Sequence, residues 1–95
     1  MFQSKQTEKI LFKAIASLTN TDEVQAFLAD LCTPAEIQAM SERLIIAKLL
    51  FQGDHSYREI SEKTGASTTT VGRVARFLKD ENYGGYTLVI QRMEK

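Results

Sequence analysis

A glycine at position 65 constrains this chain more than any other residue. It separates two short segments, each with the apolar spacing of a helix. Before it, Ser56 is placed to cap a helix, and Glu59 three residues on completes a capping box. Ile60 and Thr64 stand one turn apart on the inner face of that helix, and Ser61 is small where a second helix must cross. Gly65 has no Cβ and can take the positive φ of a tight turn. Ala66 follows as an inward residue, and Ser67 or Thr68 can cap the next helix. Residues 56–79 therefore read as a helix-turn-helix, with its second helix directed at the major groove of DNA.

At 100° per residue the second helix divides into two faces. Val71, Val74, Ala75 and Leu78 fall on one side at i, i+3, i+4, i+7 spacing. Thr69, Gly72, Arg73 and Arg76 fall on the other. Ser67, Thr68 and Thr69 lie at the N-terminus, whose free N–H groups suit a phosphate. Between Ser67 and Lys79 there is no Asp or Glu. Hydroxyls, a glycine that permits close approach and unopposed arginines suit base edges and phosphates. Arg58 is placed as a phosphate anchor early in the first helix, with Tyr57 beside it. The bland reading of the same pattern is an amphipathic hairpin with a solvated basic face.

Net charge over the 95 residues is zero, so binding to a polyanion must rest on local charge. From Arg43 to Lys79 seven basic residues face three acidic ones, a local balance of +4. One cysteine, Cys32, and one histidine, His55, leave no internal disulfide and no zinc set from these ligands. No nucleophile, base and orienting group stand together, so no catalytic residues, metal or cofactor are expected and the chain does not read as an enzyme. Without a signal peptide or a membrane-length apolar run, the expectation is a cytoplasmic protein with no membrane partner.

The remaining elements also read as helices. Ile10, Leu11, Ala14, Ile15 and Leu18 form a helical stripe over residues 3–18, and Phe2 and Phe12 add apolar area outside it. Asn20 with Glu23 is a second capping-box candidate, opening a helix with Val24, Phe27, Leu28 and Leu31 on one face and stopping by Cys32. Thr33, Pro34 and Glu36 mark the start of a third helix that runs to about Gln52. Its second half, 44–51, is apolar almost all round apart from Lys48, and a helix of that kind is surrounded by protein. A single small domain over 1–95 has few elements to surround it with. An obligate homodimer is therefore expected, and burial within one chain is the alternative. Residues 80–85, including Asn82, are a breaker cluster, and Leu88, Val89, Ile90 and Met93 point to a short sixth helix over 86–93. Residues 92–95 are expected to fray.

The run from Leu31 to Lys79 resembles the tryptophan repressor superfamily and, within it, the YerC/YecD-like branch. The resemblance lies in Leu31-Cys32-Thr33-Pro34-Ala35-Glu36, Arg43, residues 49–53, Ser56-Tyr57-Arg58-Glu59-Ile60, Gly65-Ala66 and Thr70-Val71-Gly72-Arg73. It covers about half the chain, and the flanks match in helical pattern alone. It implies an all-α, intertwined homodimer of about six helices, with one helix-turn-helix per subunit. It also implies a ligand pocket, vestigial here, marked by Thr33, Arg43, Thr70, Arg73, Val74 and Phe77. Val74 stands where the family has a glycine, and Phe77 where it has a serine that meets the ligand's amino group. Both add volume, and the second removes a hydrogen-bond partner. Phe77 is therefore expected to fill the cavity, which makes a small-molecule effector doubtful and a response to tryptophan unexpected. Arg73 has two competing roles, a DNA contact and a brace of that pocket.

These features point to a sequence-specific regulator of transcription that binds double-stranded DNA as a dimer. A protein-interaction adaptor built on the same scaffold is the alternative. Arginines without opposing acids favour the first, because a nucleic acid presents negative charge along its whole length.

Overall fold

The computed structural model describes residues 3–81 and 83–94, so Met1, Phe2, Asn82 and Lys95 lie outside the described residues. Among the described residues six α-helices follow in order: α1 Ser4–Ala16, α2 Thr21–Leu31, α3 Pro34–Gln52, α4 Tyr57–Thr64, α5 Thr68–Arg76 and α6 Gly85–Met93. A π-helical segment, Phe77–Glu81, continues α5. No strand occurs among the described residues, so the expected all-α class holds.

Helix starts follow the capping chemistry of the sequence, with one shift. At α3 the Thr33 hydroxyl accepts from the Glu36 N–H at 3.1 Å, and the Glu36 carboxylate accepts from the Thr33 N–H at 2.8 Å. Ser56 and Glu59 make the same reciprocal pair at α4. At α2 the Asn20 side chain accepts from the Glu23 N–H, but the Glu23 carboxylate reaches past Asn20 to the N–H and hydroxyl of Thr19. The first helix begins at Ser4 behind Gln3, and ends at Ala16, two residues short of the expected Leu18.

The chain divides into two compact units, Met1–Ile37 and Gln38–Lys95, with the boundary inside α3. The first unit holds α1 and α2, and neither helix has a buried residue. Their apolar stripes exist as the sequence predicts, yet Ile10, Phe12, Ile15, Val24 and Leu31 are exposed.

The second unit has the core: Ile46, Ala47 and Leu50 of α3, Ile60 of α4, Ala66 of the turn, Val71, Val74 and Ala75 of α5, and Ile90 of α6. Leu49, Leu78 and Tyr86 pack against it half-buried. Burying each isoleucine, leucine or valine among them contributes about 1.5–3 kcal/mol. This cluster fixes α4 and α5 upon the C-terminal half of α3. The other side of α3 stays open, with Ile45 47% and Phe51 40% exposed. The near-continuous apolar run of α3 is thus covered on one side within a single chain.

The candidate nucleic-acid interface

The turn between α4 and α5 is built by local chemistry. Gly65 takes φ +80°, the left-handed region its missing side chain allows, and its N–H donates to the Ser61 carbonyl. The Ser61 hydroxyl donates to the Ala66 carbonyl, and the Thr64 hydroxyl receives the Ala66 N–H at 3.2 Å. The small polar residues at 61 and 64 thus satisfy the backbone of the turn while Ala66 enters the core. Ser67 then caps α5, accepting from the Thr70 N–H at 3.1 Å, with the two hydroxyls 3.0 Å apart.

This geometry sets out the predicted DNA-facing residues. On α5, Thr68, Thr69, Arg73 and Arg76 are exposed and Gly72 is half-exposed. Ser67 is exposed too, but its hydroxyl is engaged by the cap. A Cβ built on Gly72 would meet no atom within 4 Å. The packing of this chain therefore does not demand a glycine there. On α4, Tyr57 and Arg58 are exposed at the first turn. Arg58 Nε lies 3.5 Å from Glu62 Oε1, one turn along, with both side chains largely in solvent. A pair of that kind contributes little and yields readily to a phosphate.

Arg76, which the sequence reads as unopposed, lies 3.6 Å from Glu81 Oε1, an acid just beyond the stretch that lacks them. Its guanidinium carbon stands 5.1 Å from the centre of the Phe77 ring, and that of Arg73 stands 4.7 Å from the same centre. Tyr83 stacks on Phe77 with centroids 6.3 Å apart and planes 20° from parallel. Glu81 and Tyr83 are participants that helical spacing does not reveal. Their i+5 and i+6 offsets from Arg76 and Phe77 become neighbours because the chain leaves α geometry at Phe77.

A cavity of about 590 Å³ opens beside this cluster, between α3, the end of α5 and the start of α6. Arg43, Arg73 and Phe77 line it together, as do Tyr83 before α6 and Tyr86 in its first turn. Thr70 and Val74 are not among its walls. Val74 is fully buried in the core, because its place one turn from Val71 and Leu78 turns it inward. Phe77 forms a wall and leaves the space open, where its bulk alone led us to expect closure. The switch to π geometry at that residue redirects the chain as it leaves α5. Thr33 belongs to the other compact unit, where it caps α3. Among the described residues no group of His, Cys, Asp and Glu side chains could hold a metal ion, and no helix is long and apolar enough to cross a membrane.

The sequence profile described as "Trp repressor protein" matches residues 6–94. The uncharacterized protein YerC of Bacillus subtilis (strain 168) is 41% identical over 87 residues, covering 90% of this chain and 80% of that one. A Trp operon repressor homolog of Xylella fastidiosa (strain 9a5c) is 30% identical over 78 residues, covering 82% and 85%. The crystal structure of a TrpR like protein from Eubacterium eligens ATCC 27750 superposes with a TM-score of 0.86 at 43% identity, over 94% of this chain and 90% of that one.

Proposed function

The chain belongs to the Trp repressor family, a family of DNA-binding regulators, and on that premise we propose that it is a sequence-specific transcriptional regulator, acting on double-stranded DNA as a homodimer and without answering to tryptophan. The observation that supports this best is the outer face of α5. Thr68, Thr69, Arg73 and Arg76 are exposed there, no acid interrupts residues 67–79, and Gly72 has no neighbour to explain it. Thr68 and Thr69 then meet phosphates or base edges, Gly72 lets the backbone lie close to the groove, and Arg76 reads guanine or phosphate. Tyr57 and Arg58 anchor the backbone from α4, and Ser67 acts chiefly as the cap that orders this end of α5.

Dimerisation is supported by what a single chain leaves uncovered. Phe12 is 60% exposed and Ile10 52% in the first unit, and Ile45 and Phe51 are exposed on α3 in the second. A twin chain that covers these faces makes residues 1–95 one functional domain. Two helix-turn-helices related by a twofold axis then address half-sites about 34–36 Å apart.

Independence from tryptophan is supported by the lining of the cavity. Arg43 and Arg73 suit a carboxylate, but among the described residues no acidic or amide side chain lines it to receive an ammonium. The ammonium of an amino acid bound there would meet no carboxylate among the described residues, leaving it only the aromatic rings and tyrosine hydroxyls as side-chain partners.

Fluorescence anisotropy on random duplex at two salt concentrations tests the DNA reading, followed by selection of bound oligonucleotides from a random pool. Affinity that falls steeply with salt and a recovered two-fold motif are expected. Binding that is absent at low salt would favour the adaptor reading instead. Calorimetry with L-tryptophan is expected to give no saturable heat in the micromolar range.

A further inference from the structure

We propose that Phe77 is a positioning residue for DNA binding, its ring gathering the guanidinium groups of Arg73 and Arg76 into a pair held ready for the duplex. The inference rests on the DNA-binding reading and adds to it a reason why this chain can act without an effector.

The argument begins with an electrostatic conflict. Arg73 and Arg76 sit one turn apart on an exposed helix face, and two cations there repel. Left alone, long flexible side chains would splay into solvent, and binding would have to order both of them again. Instead both guanidinium carbons lie within the range at which a ring quadrupole attracts a cation, 4.7 and 5.1 Å from one centroid. The ring is itself restrained. Phe77 is half-buried and begins the π-helical segment, and the solvent-exposed ring of Tyr83 stacks on Phe77 only loosely, at 6.3 Å. Glu81 supplies the counter-charge to Arg76 at 3.6 Å, while both side chains remain about half in solvent. A carboxylate held so loosely occupies Arg76 much as a phosphate oxygen would, and can be exchanged for one. The group that fixes the arginines is thus part of the chain.

The test is a double-mutant cycle read by anisotropy on the selected duplex at low salt. Phe77→Leu keeps apolar bulk and removes the quadrupole. Phe77→Tyr keeps the ring. Circular dichroism and thermal melts monitor folding, and Phe77→Met serves as a second apolar replacement where Phe77→Leu melts early. The leucine or methionine variant is expected to bind roughly tenfold more weakly with its helical signal intact, since two cation–ring contacts are lost. The tyrosine variant is expected to bind within about twofold of the parent chain. In an Arg73→Gln, Arg76→Gln background, replacing Phe77 with leucine should change affinity little, because the ring then has no cation to hold. Parent-like binding by Phe77→Leu, or an equal loss in both backgrounds, overturns the proposal. Failure of the parent chain to bind any duplex overturns the DNA reading itself, and this proposal with it.

Discussion

Gly72 is the residue at which folding and function pull apart. A glycine inside a helix destabilises it by about 0.5–1 kcal/mol relative to alanine. No described neighbour explains that cost, since a Cβ there would meet no atom within 4 Å. Gly72→Ala is therefore expected to raise the melting temperature by a few degrees, about 4–8 °C per kcal/mol for a domain of this size. Duplex affinity should fall at the same time, because a methyl group would stand between helix and groove. A melt and an anisotropy titration on one preparation check both halves. The arginines separate by role in the same way. Arg58→Ala should weaken binding to all duplexes alike and reduce the salt slope by about one. Arg76→Ala should relax preference at one position of the selected site, at about 1–3 kcal/mol.

Within the elements, what can be read from sequence is what is local. The boxes Thr33–Glu36 and Ser56–Glu59 span three residues, and backbone geometry brings their ends together with little help from tertiary packing. Gly65 is legible for a similar reason, as few residues tolerate φ +80°. Glu23 breaks the rule by one residue, since Thr19 offers it two donors where Asn20 offers one backbone N–H. The 77–83 cluster is not legible, because a helical wheel assumes 100° steps and the chain abandons them at Phe77. The box at α4 also has a consequence with pH. Hydrogen bonds from the Ser56 N–H and hydroxyl hold Glu59 below the ordinary carboxylate range. A group whose pKa is depressed on folding stabilises the fold above its unfolded value and ceases to do so as pH falls through the folded one. Stability should therefore decline as pH falls through the ordinary glutamate range and below it. Glu59→Gln should flatten part of that decline, and urea titrations at stepped pH would reveal an unchanged profile if the box is irrelevant. Glu23, held down by Thr19, adds a second contribution in the same window.

For the whole molecule, the sequence pattern specifies which faces are apolar but not what covers them. The stripe on α1 is present, and none of its residues is buried. The run on α3 is buried on one side, with Ile45 and Phe51 left open on the other. Periodicity describes one helix at a time, whereas coverage depends on long-range and intermolecular packing. Phe12 makes the distinction measurable. In a monomer, a side chain 60% exposed can become glutamate with a change within about 0.5 kcal/mol. In a dimer that buries it, Phe12→Glu places an unpaired charge in an apolar interface, at a cost of several kcal/mol. The parent chain should then sediment at twice its chain mass, 10.7 kDa, with a denaturation midpoint that rises with protein concentration. The variant should lose both properties and also its grip on a two-half-site duplex, since one helix-turn-helix alone forfeits the effective concentration that links the two. A Phe12→Glu chain that melts and binds like the parent would show that these apolar faces have no twin to meet.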